Sequence, residues 1–454
     1  MQTIKNRSEL IRSNTHKIAI ECLEAGIEAA IPSKIVDETI TIENRVLSIV
    51  DHRGNQYTYN LNEFDDVYVL GGGNGAGHLA HALEQRLGGA ITAGAIVTDQ
   101  PVPCETVEMY IGDHPIPSER GAKGARRVLE LAETAGPNDL VLACITGGGS
   151  AIIAAPVDGV SVSDLARTTE ALLQSGAAIE EINAVRKHCS QVKGGGLARA
   201  CAPATVPSLL ISDVIGDDPS VIASGPTVPD PTTYADALSI LDRYDVDLPK
   251  AVEQHLNAGT AGDRPETPGS NHEVFECVQI HILGSNHGAL RAAADVATEH
   301  GYEPLILSSR IRGESQAAAI THAAIAEECA RTGLPIEPPA VVLSGGETTV
   351  RLDSSAGEGG PNQEFVTSGS LALDNDDIVI GAVDTDGIDG ATDVAGAIAD
   401  GTTIPPDSGR KALETHNVFP LLSDLNVTVQ TGPTGTNVND LRVLVIATHD
   451  TRFE

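Results

Sequence analysis

Short apolar runs alternate along this chain with stretches whose apolar positions recur every three or four residues. The runs at 66–70, 94–98, 139–145, 207–212 and 278–283 predict strands, as do those at 303–307, 340–344, 377–383, 426–430 and 442–447. Helical spacing fits 8–30, 76–87, 118–134, 161–176, 286–300, 314–331 and 362–373. Apolar strands alternating with helices predict an α/β fold: two α/β domains with largely parallel, Rossmann-like sheets. Nearly every predicted strand ends in a Gly, Asp or Ser cluster, and ligands collect at such carboxyl ends. The stretch 258–275, rich in Gly, Pro and polar residues, is expected to join a domain of residues 1–262 to one of residues 276–454. No repeat with a period of 20–50 residues is visible, and no apolar run reaches 18 residues.

Composition narrows the partners. The 63 Asp and Glu against 29 Lys and Arg give a net charge of -34, which argues against nucleic acid and anionic membranes. The acid excess, with only 3% aromatic residues, resembles a salt-adapted soluble protein. Seven scattered cysteines without a C-x-x-C pair, and no signal-like apolar stretch at the start, point to a reducing cytoplasm and no structural zinc.

Against that acidic background, Arg186, Lys187, His188 and Lys193 stand within eight positions and run into Gly194-Gly195-Gly196. Cations beside exposed backbone N–H groups suit a phosphate or carboxylate, and a basic helix end complementing its own dipole is the plainer alternative. The loop Gly71-Gly72-Gly73-Asn74-Gly75-Ala76 fits G-x-G-x-x-A, with Asp99 at the end of a strand 23 residues on, a dinucleotide fingerprint. Close packing alone would also explain its glycines. Thr146-Gly147-Gly148-Gly149-Ser150 follows another strand and can cradle a phosphate, its hydroxyl completing the cradle. Asp213, Asp217 and Asp218 after a strand could hold Mg²⁺ or act as a base, or form a solvated acidic loop. Asp384-Thr385-Asp386-Gly387-Ile388-Asp389-Gly390 offers similar carboxylates but lacks the twelfth-position Glu of a calcium loop, where Ala395 stands. Thr431 to Asp440 is dense in hydroxyls and amides suited to a hydroxy acid or a nucleotide.

Taken together these stretches resemble the class II glycerate kinases, the glycerate 2-kinases with a C-terminal MOFRL module. The resemblance rests on Gly112–Pro117, Gly147–Ser150, Asn183–Ala198, Ser212–Thr227, Gly284–Asn286, Ser344–Thr348, Gly360–Glu364, Asp384–Gly390 and Thr431–Leu441, in family order over nearly the whole chain. It implies an ATP-dependent kinase that converts D-glycerate to 2-phosphoglycerate with Mg²⁺, in a cleft between two α/β domains, and a salt-adapted, haloarchaeal-like member of the family. In that reading Lys193, Arg186, Asp213 and Asp386 are catalytic. Gly73, Asn74, Gly148, Gly149, Ser150, Lys187, His188, Asn286, Glu347, Asn362, Thr434, Asn437 and Asn439 contact substrate or nucleotide, and Asp213 and Asp384 hold Mg²⁺. The chain departs from the family pattern at Asn74 and Pro361, where the family carries cations. Arg186, Lys187 and Lys193 are expected to compensate in the first half, with Arg310 and Arg312 nearest in the second, because no lysine occurs between Lys250 and Lys411. Two rival readings are an NAD(P)H-dependent hydroxypyruvate reductase using the 71–76 fingerprint and a non-catalytic binder of small acids. The oligomeric state stays open, a homodimer being one option.

The charge density makes a first prediction. Folding and activity should require molar KCl or NaCl, because self-repulsion is screened only there. Equal folding and turnover at about 0.1 M and about 2 M salt, followed by circular dichroism and assay, would overturn it.

Overall fold

The computed structural model describes residues 3–352, 357–374 and 377–448. They form two compact units: a central unit, Pro32–Leu283, and a terminal unit that joins Met1–Ile31 to Gly284–Glu454. The expected division into 1–262 and 276–454 is therefore corrected at both ends. The helix Asn14–Ala30 presents Ile18, Ala19, Cys22, Leu23 and Ile27 to one face of the terminal sheet, where they share a core with Val341, Leu343, Val443 and Val445. Such a long-range partnership leaves no local signature. The supposed linker begins as the end of the helix Lys250–Thr260 and then docks on the central unit, Glu266 accepting from Tyr234 N and Thr267 donating to Asp230.

In the central unit a six-stranded sheet has the order Val107–Ile111, Ala93–Thr98, Val67–Gly72, Leu140–Thr146, Val206–Ile211 and Val278–Gly284. The pairings among the first five are parallel. Its inner strands are buried on both faces, which is why they read as unbroken apolar runs. A separate antiparallel sheet, Ile40–Glu43, Val46–Val50 and Gln56–Asn60, turns at Asn44-Arg45 with both φ values positive. The helices Val162–Ser175, Ile179–His188, Tyr234–Tyr244 and Lys250–Thr260 contribute to a second core of their own.

The terminal sheet corrects the expectation of largely parallel strands. Its order is Glu303–Ile311, Ala340–Gly346, Asp440–Ile446, Ile378–Asp384, Gly396–Asp400 and Thr428–Val429, and only the first pair is parallel. Helices cover both faces, so these antiparallel strands are apolar throughout and look like parallel ones in sequence. Alternate residues show it: Val341 and Leu343 belong to one core, Ala340 and Val342 to the other. Ile378–Asp384 and Gly396–Asp400 are joined by a loop with no helix, which suits an antiparallel return.

One buried helix of this unit is capped from a distance. Pro361–Ala372 has Pro361 at its first turn, where the missing N–H costs nothing, and Gly360 as an N-cap without a side chain. Asp389 supplies the acceptor instead, taking the N–H groups of Asn362 at 3.0 Å and Gln363 at 2.9 Å. A side chain at Gly360 would overlap the Asp389 carboxyl. Burial pushes the Asp389 carboxyl up to about 6. Asp389→Ala should cost about 2 kcal/mol, read as a shift in denaturation midpoint. Since the folded pKa lies above the unfolded value, this group's contribution grows as pH falls from about 6 to about 4. Wild type should thus gain stability relative to Asp389→Asn over that range; no pH dependence in the difference would refute the assignment.

Candidate functional site

In the central unit the loops at the carboxyl ends of the parallel strands interlock through their glycines. A side chain at Gly71 would overlap the Cys144 carbonyl, and one at Gly73 would overlap Thr146 and Gly147. The backbone amides here are engaged with protein: Gly73 N–H donates to Val97 O at 3.0 Å, Asn74 N–H to Gly147 O at 2.8 Å, Gly75 N–H to Thr146 Oγ1 at 3.1 Å and Ala76 N–H to Gly73 O at 3.2 Å. The expectation that Gly73 offers its amide to a ligand is corrected, and so is the dinucleotide fingerprint, because a pyrophosphate needs those donors free. Asn74 lies between the two loops, against Gly148, with its Oδ1 buried and unbonded. By contrast, the amides of Gly148, Gly149 and Ser150 take no acceptor among the described residues. Asp213 sits over this second loop, where a side chain at Gly147 would overlap its carboxylate.

Arg186 and Lys193 are brought together and left without a counter-ion. Lys193 is buried, Arg186 half-buried, and neither takes part in any ion pair among the described residues. Burial pushes the Lys193 ammonium down to about 7, helped by the positive charge of Arg186, and burial lowers Arg186 to about 10. Burial is the main cause of both shifts, and a bound anion would oppose them. His114 and Asp99 stand near: burial lowers the His114 pKa, with Asp99 opposing and Arg186 reinforcing that shift.

The neighbours of Arg186 are turned elsewhere, which corrects their expected role. Successive helical residues point about 100° apart. Lys187 Nζ reaches the buried Asp230 at 3.4 Å, while His188 bonds the Ala184 carbonyl at 2.7 Å and faces Glu266 at 3.2 Å. The glycines after Lys193 are not an open anion cradle either. Gly194 N–H donates to Ser224 O at 3.0 Å and Gly195 N–H to Gly225 O at 2.8 Å. Two residues not among the expected site residues, Asn183 and Ser224, connect these parts: Ser224 Oγ donates to Asn183 Oδ1 at 3.0 Å and bonds the Ser150 hydroxyl. Their sequence signal is that both lie in stretches that carry the family resemblance, with Asn183 a helical turn before Arg186.

The terminal unit gathers its own polar cluster. Asn286 Nδ2 donates to the carbonyls of Val438 and Asp440, both at 2.8 Å. Asn362 Nδ2 donates to Asp440 Oδ1 at 2.7 Å, and Asn437 Nδ2 to Asp386 Oδ2 at 3.3 Å. Thr434 Oγ1 donates to Thr385 O at 2.7 Å, and the Asn439 carbonyl accepts from Thr385 Oγ1 at 2.9 Å. Burial raises Asp384 well above the ordinary carboxylate range, with Asp386 and Asp440 adding repulsion; burial likewise raises Asp386 and Glu347. The cation within this cluster is Arg442, fully buried and bonded to Asp440 and to Thr348 at 2.9 Å, with Nε and one terminal nitrogen unbonded. Arg310 and Arg312, the expected substitutes, are exposed. Arg442 hides in sequence because only Asp440 of its partners is local; Thr348 comes from another loop. Asp213 belongs to the central unit and Asp384 to the terminal one, and no group of three or more His, Cys, Asp or Glu among the described residues is arranged to hold a metal ion.

Comparison with known proteins agrees with this geometry. Residues 18–257 match the family described as a domain of unknown function, DUF4147, and residues 340–440 match the MOFRL family. The chain is 37% identical to the glycerate 2-kinase of Pyrococcus horikoshii over 96% of its own length and 98% of that protein. A protein of Agrobacterium vitis under the provisional name hydroxypyruvate reductase is 41% identical over 83% of this chain and 86% of its own. The crystal structure of glycerate kinase from Thermotoga maritima superposes with a TM-score of 0.84 at 36% identity, covering 95% of this chain and 99% of that one. With its buried cation pair, its carboxylate cluster and full-length similarity of this order, the chain belongs to the glycerate kinase family.

Proposed function

We propose that the chain is a glycerate 2-kinase, transferring the γ-phosphoryl group of ATP to D-glycerate to give 2-phosphoglycerate. The observation that carries this reading is the Arg186–Lys193 pair, a buried lysine and a half-buried arginine that form no ion pair among the described residues. Leaving such charges unpaired is costly, and a carboxylate or transferring phosphoryl group offsets it. Phosphoryl transfer asks for little else: positioning, neutral surroundings for the developing charge, and an acceptor for the hydroxyl proton. The substrate oxygen bonds to phosphorus as the bond to ADP breaks, and the proton passes to a carboxylate. Asp213 in the central unit and Asp386 in the terminal unit are the candidates, the latter already disposed to take a proton. The free amides of Gly148, Gly149 and Ser150 serve phosphate oxygens.

Mg²⁺, when bound, neutralises phosphate oxygens, and Asp384 or Asp213 would hold it. Among the described residues no group of three ligands is preformed, but Asp384 is repelled by the neighbouring charges of Asp386 and Asp440, and a divalent ion there would relieve that repulsion. Mg²⁺ often uses only one or two carboxylates, with substrate oxygens completing its shell. The partners in this reading are small molecules, the compartment is the cytoplasm, and the net charge of -34 supports a salt-adapted enzyme. No described helix is long and apolar enough to cross a membrane.

The reductase alternative is favoured by the name of the Agrobacterium vitis relative, but the engaged amides of the first glycine loop stand against it. A coupled assay separates the readings: ADP release that depends on D-glycerate supports the kinase, NADH consumption with hydroxypyruvate the reductase, and neither a binding protein.

Lys193→Ala should lower turnover roughly 30- to 1000-fold, about 2–4 kcal/mol in the barrier, with the unfolding midpoint retained. Unchanged kinetics would reduce Lys193 to a helix-end charge. Because its pKa is pushed down to about 7, the free enzyme loses this cation as pH rises past that value. Binding of D-glycerate near pH 8 should therefore take up a proton, measured by calorimetry in two buffers, and Lys193→Arg should abolish the uptake. In the same way the unliganded protein should gain stability above about pH 7, where the buried amine is neutral. Asn74→Lys, which restores a charge between the glycine loops, should change the KM for ATP or kcat severalfold without unfolding. No change in either would place position 74 outside the working site.

A further inference from the structure

The Ser150 hydroxyl has a fixed polarity. Ser224 is fully buried, and its hydroxyl donates its single proton to Asn183 Oδ1 at 3.0 Å. Ser224 Oγ can then meet Ser150 only with a lone pair, so Ser150 must spend its own proton on Ser224. What Ser150, half-buried at the carboxyl end of Leu140–Thr146, has left for a ligand is lone pairs. It cannot bond a phosphate or carboxylate oxygen, which also brings only lone pairs. It can bond an O–H.

The same residue that sets this polarity sets the spacing. Asn183 lies one turn ahead of Arg186 on Ile179–His188, and the Ser224 carbonyl takes the N–H of Gly194, next to Lys193. Ser224 thus ties Ser150, Arg186 and Lys193 together through one hydroxyl and one carbonyl. It does so from a backbone that few side chains adopt, with φ of 50° at Ala223 and 62° at Ser224. Gly149 is what lets Ala223 approach, since a side chain there would lie 2.7 Å from its Cβ.

We propose that Ser150 accepts the hydrogen bond of a hydroxyl group on the phosphoryl acceptor, and that Ser224 and Asn183 are positioning residues that hold it as an acceptor beside the Arg186–Lys193 pair. The substrate class is then a hydroxy acid: its charged end meets the cations, and one of its hydroxyls meets Ser150. This rests on the kinase reading for the identity of the substrate but not for the polarity of the serine.

The test uses the full-length protein with ATP, Mg²⁺ and D-glycerate, alongside direct calorimetric binding of D-glycerate, D-lactate and 3-hydroxypropionate. Ser150→Ala should lower kcat/KM for D-glycerate at least roughly tenfold while the KM for ATP stays within about twofold. Binding of whichever analogue lacks the contacted hydroxyl should be unaffected by the substitution, and the other analogue should weaken with D-glycerate. Ser224→Ala should reproduce the loss specific to D-glycerate; should that variant not fold, Ser150→Ala decides alone. Unchanged D-glycerate kinetics and binding in folded Ser150→Ala would overturn the proposal, and so would a loss carried by the KM for ATP, which would make Ser150 a phosphate ligand. A wild type that consumes no ATP with D-glycerate would instead remove the kinase reading, leaving the three binding measurements to judge the serine.

Discussion

The central unit depends on backbone meeting backbone where two strands end side by side. Val67–Gly72 and Leu140–Thr146 are neighbours in the sheet, and at their ends Gly71 and Gly73 approach the carbonyls of Cys144, Thr146 and Gly147 more closely than a Cβ permits. Asn74 and Gly75 donate across this contact and Gly73 and Ala76 donate to other carbonyls, whereas the amides from Gly148 to Ser150 take no acceptor among the described residues. Two glycine-rich loops of similar composition thereby acquire opposite duties, one as a brace and the other as a donor surface. The rest of the site hangs from this brace: Asn74 is wedged between the loops, Asp213 lies over the second, and Ser150 opens the short helix Gly149–Ile152.

Each unit also carries an electrostatic deficit, and the two are of opposite sign. In the central unit Arg186 and Lys193 repel each other and form no ion pair among the described residues; in the terminal unit Asp384, Asp389 and Asp440 crowd one arginine. In both places burial is the main cause of the pKa shifts and like charge the lesser one. Structural ion pairs behave otherwise: Lys187 and Asp230 satisfy each other, and the carboxylate also accepts from Thr232 and Thr267. Lys187 and Lys193 are both buried and six residues apart, yet one is spent on the fold and the other left over for chemistry.

Much of this was legible in the chain. Every predicted strand is present, because buried strands announce themselves as apolar runs, and the predicted helices 76–87, 118–134 and 286–300 appear with nearly the same ends. Short or half-exposed elements escaped: Val107–Ile111 and Gly396–Asp400 are brief, and the hairpin at Asn44-Arg45 lacks the Asn-Gly signal. Among site residues, composition pointed to Arg186 and Lys193 because cations are scarce here. It could not tell that Lys187 and His188 leave on another face of the same helix, nor which amides the fold would consume. Strand direction in the terminal sheet was hidden for a related reason, since burial on both faces erases the alternation that marks antiparallel pairing. Arg442 and Ser224 were not picked out as site residues because a decisive partner of each, Thr348 and Asn183, lies far along the chain.

The helix Asn14–Ala30 sets an order of events during synthesis. It is made before any strand of either six-stranded sheet, yet Gly26 packs against Leu441, on a strand that sits inside the terminal sheet between Ala340–Gly346 and Ile378–Asp384. Until that strand emerges, the apolar stripe of the helix has no sheet to cover, whereas every strand of the central unit has already been made. This helix must therefore wait for its place on the sheet until the strand Asp440–Ile446 is made. Its alanines, its Ser13 cap and its modest apolar surface suit that wait, since a helix able to hold its own shape has less reason to stick elsewhere.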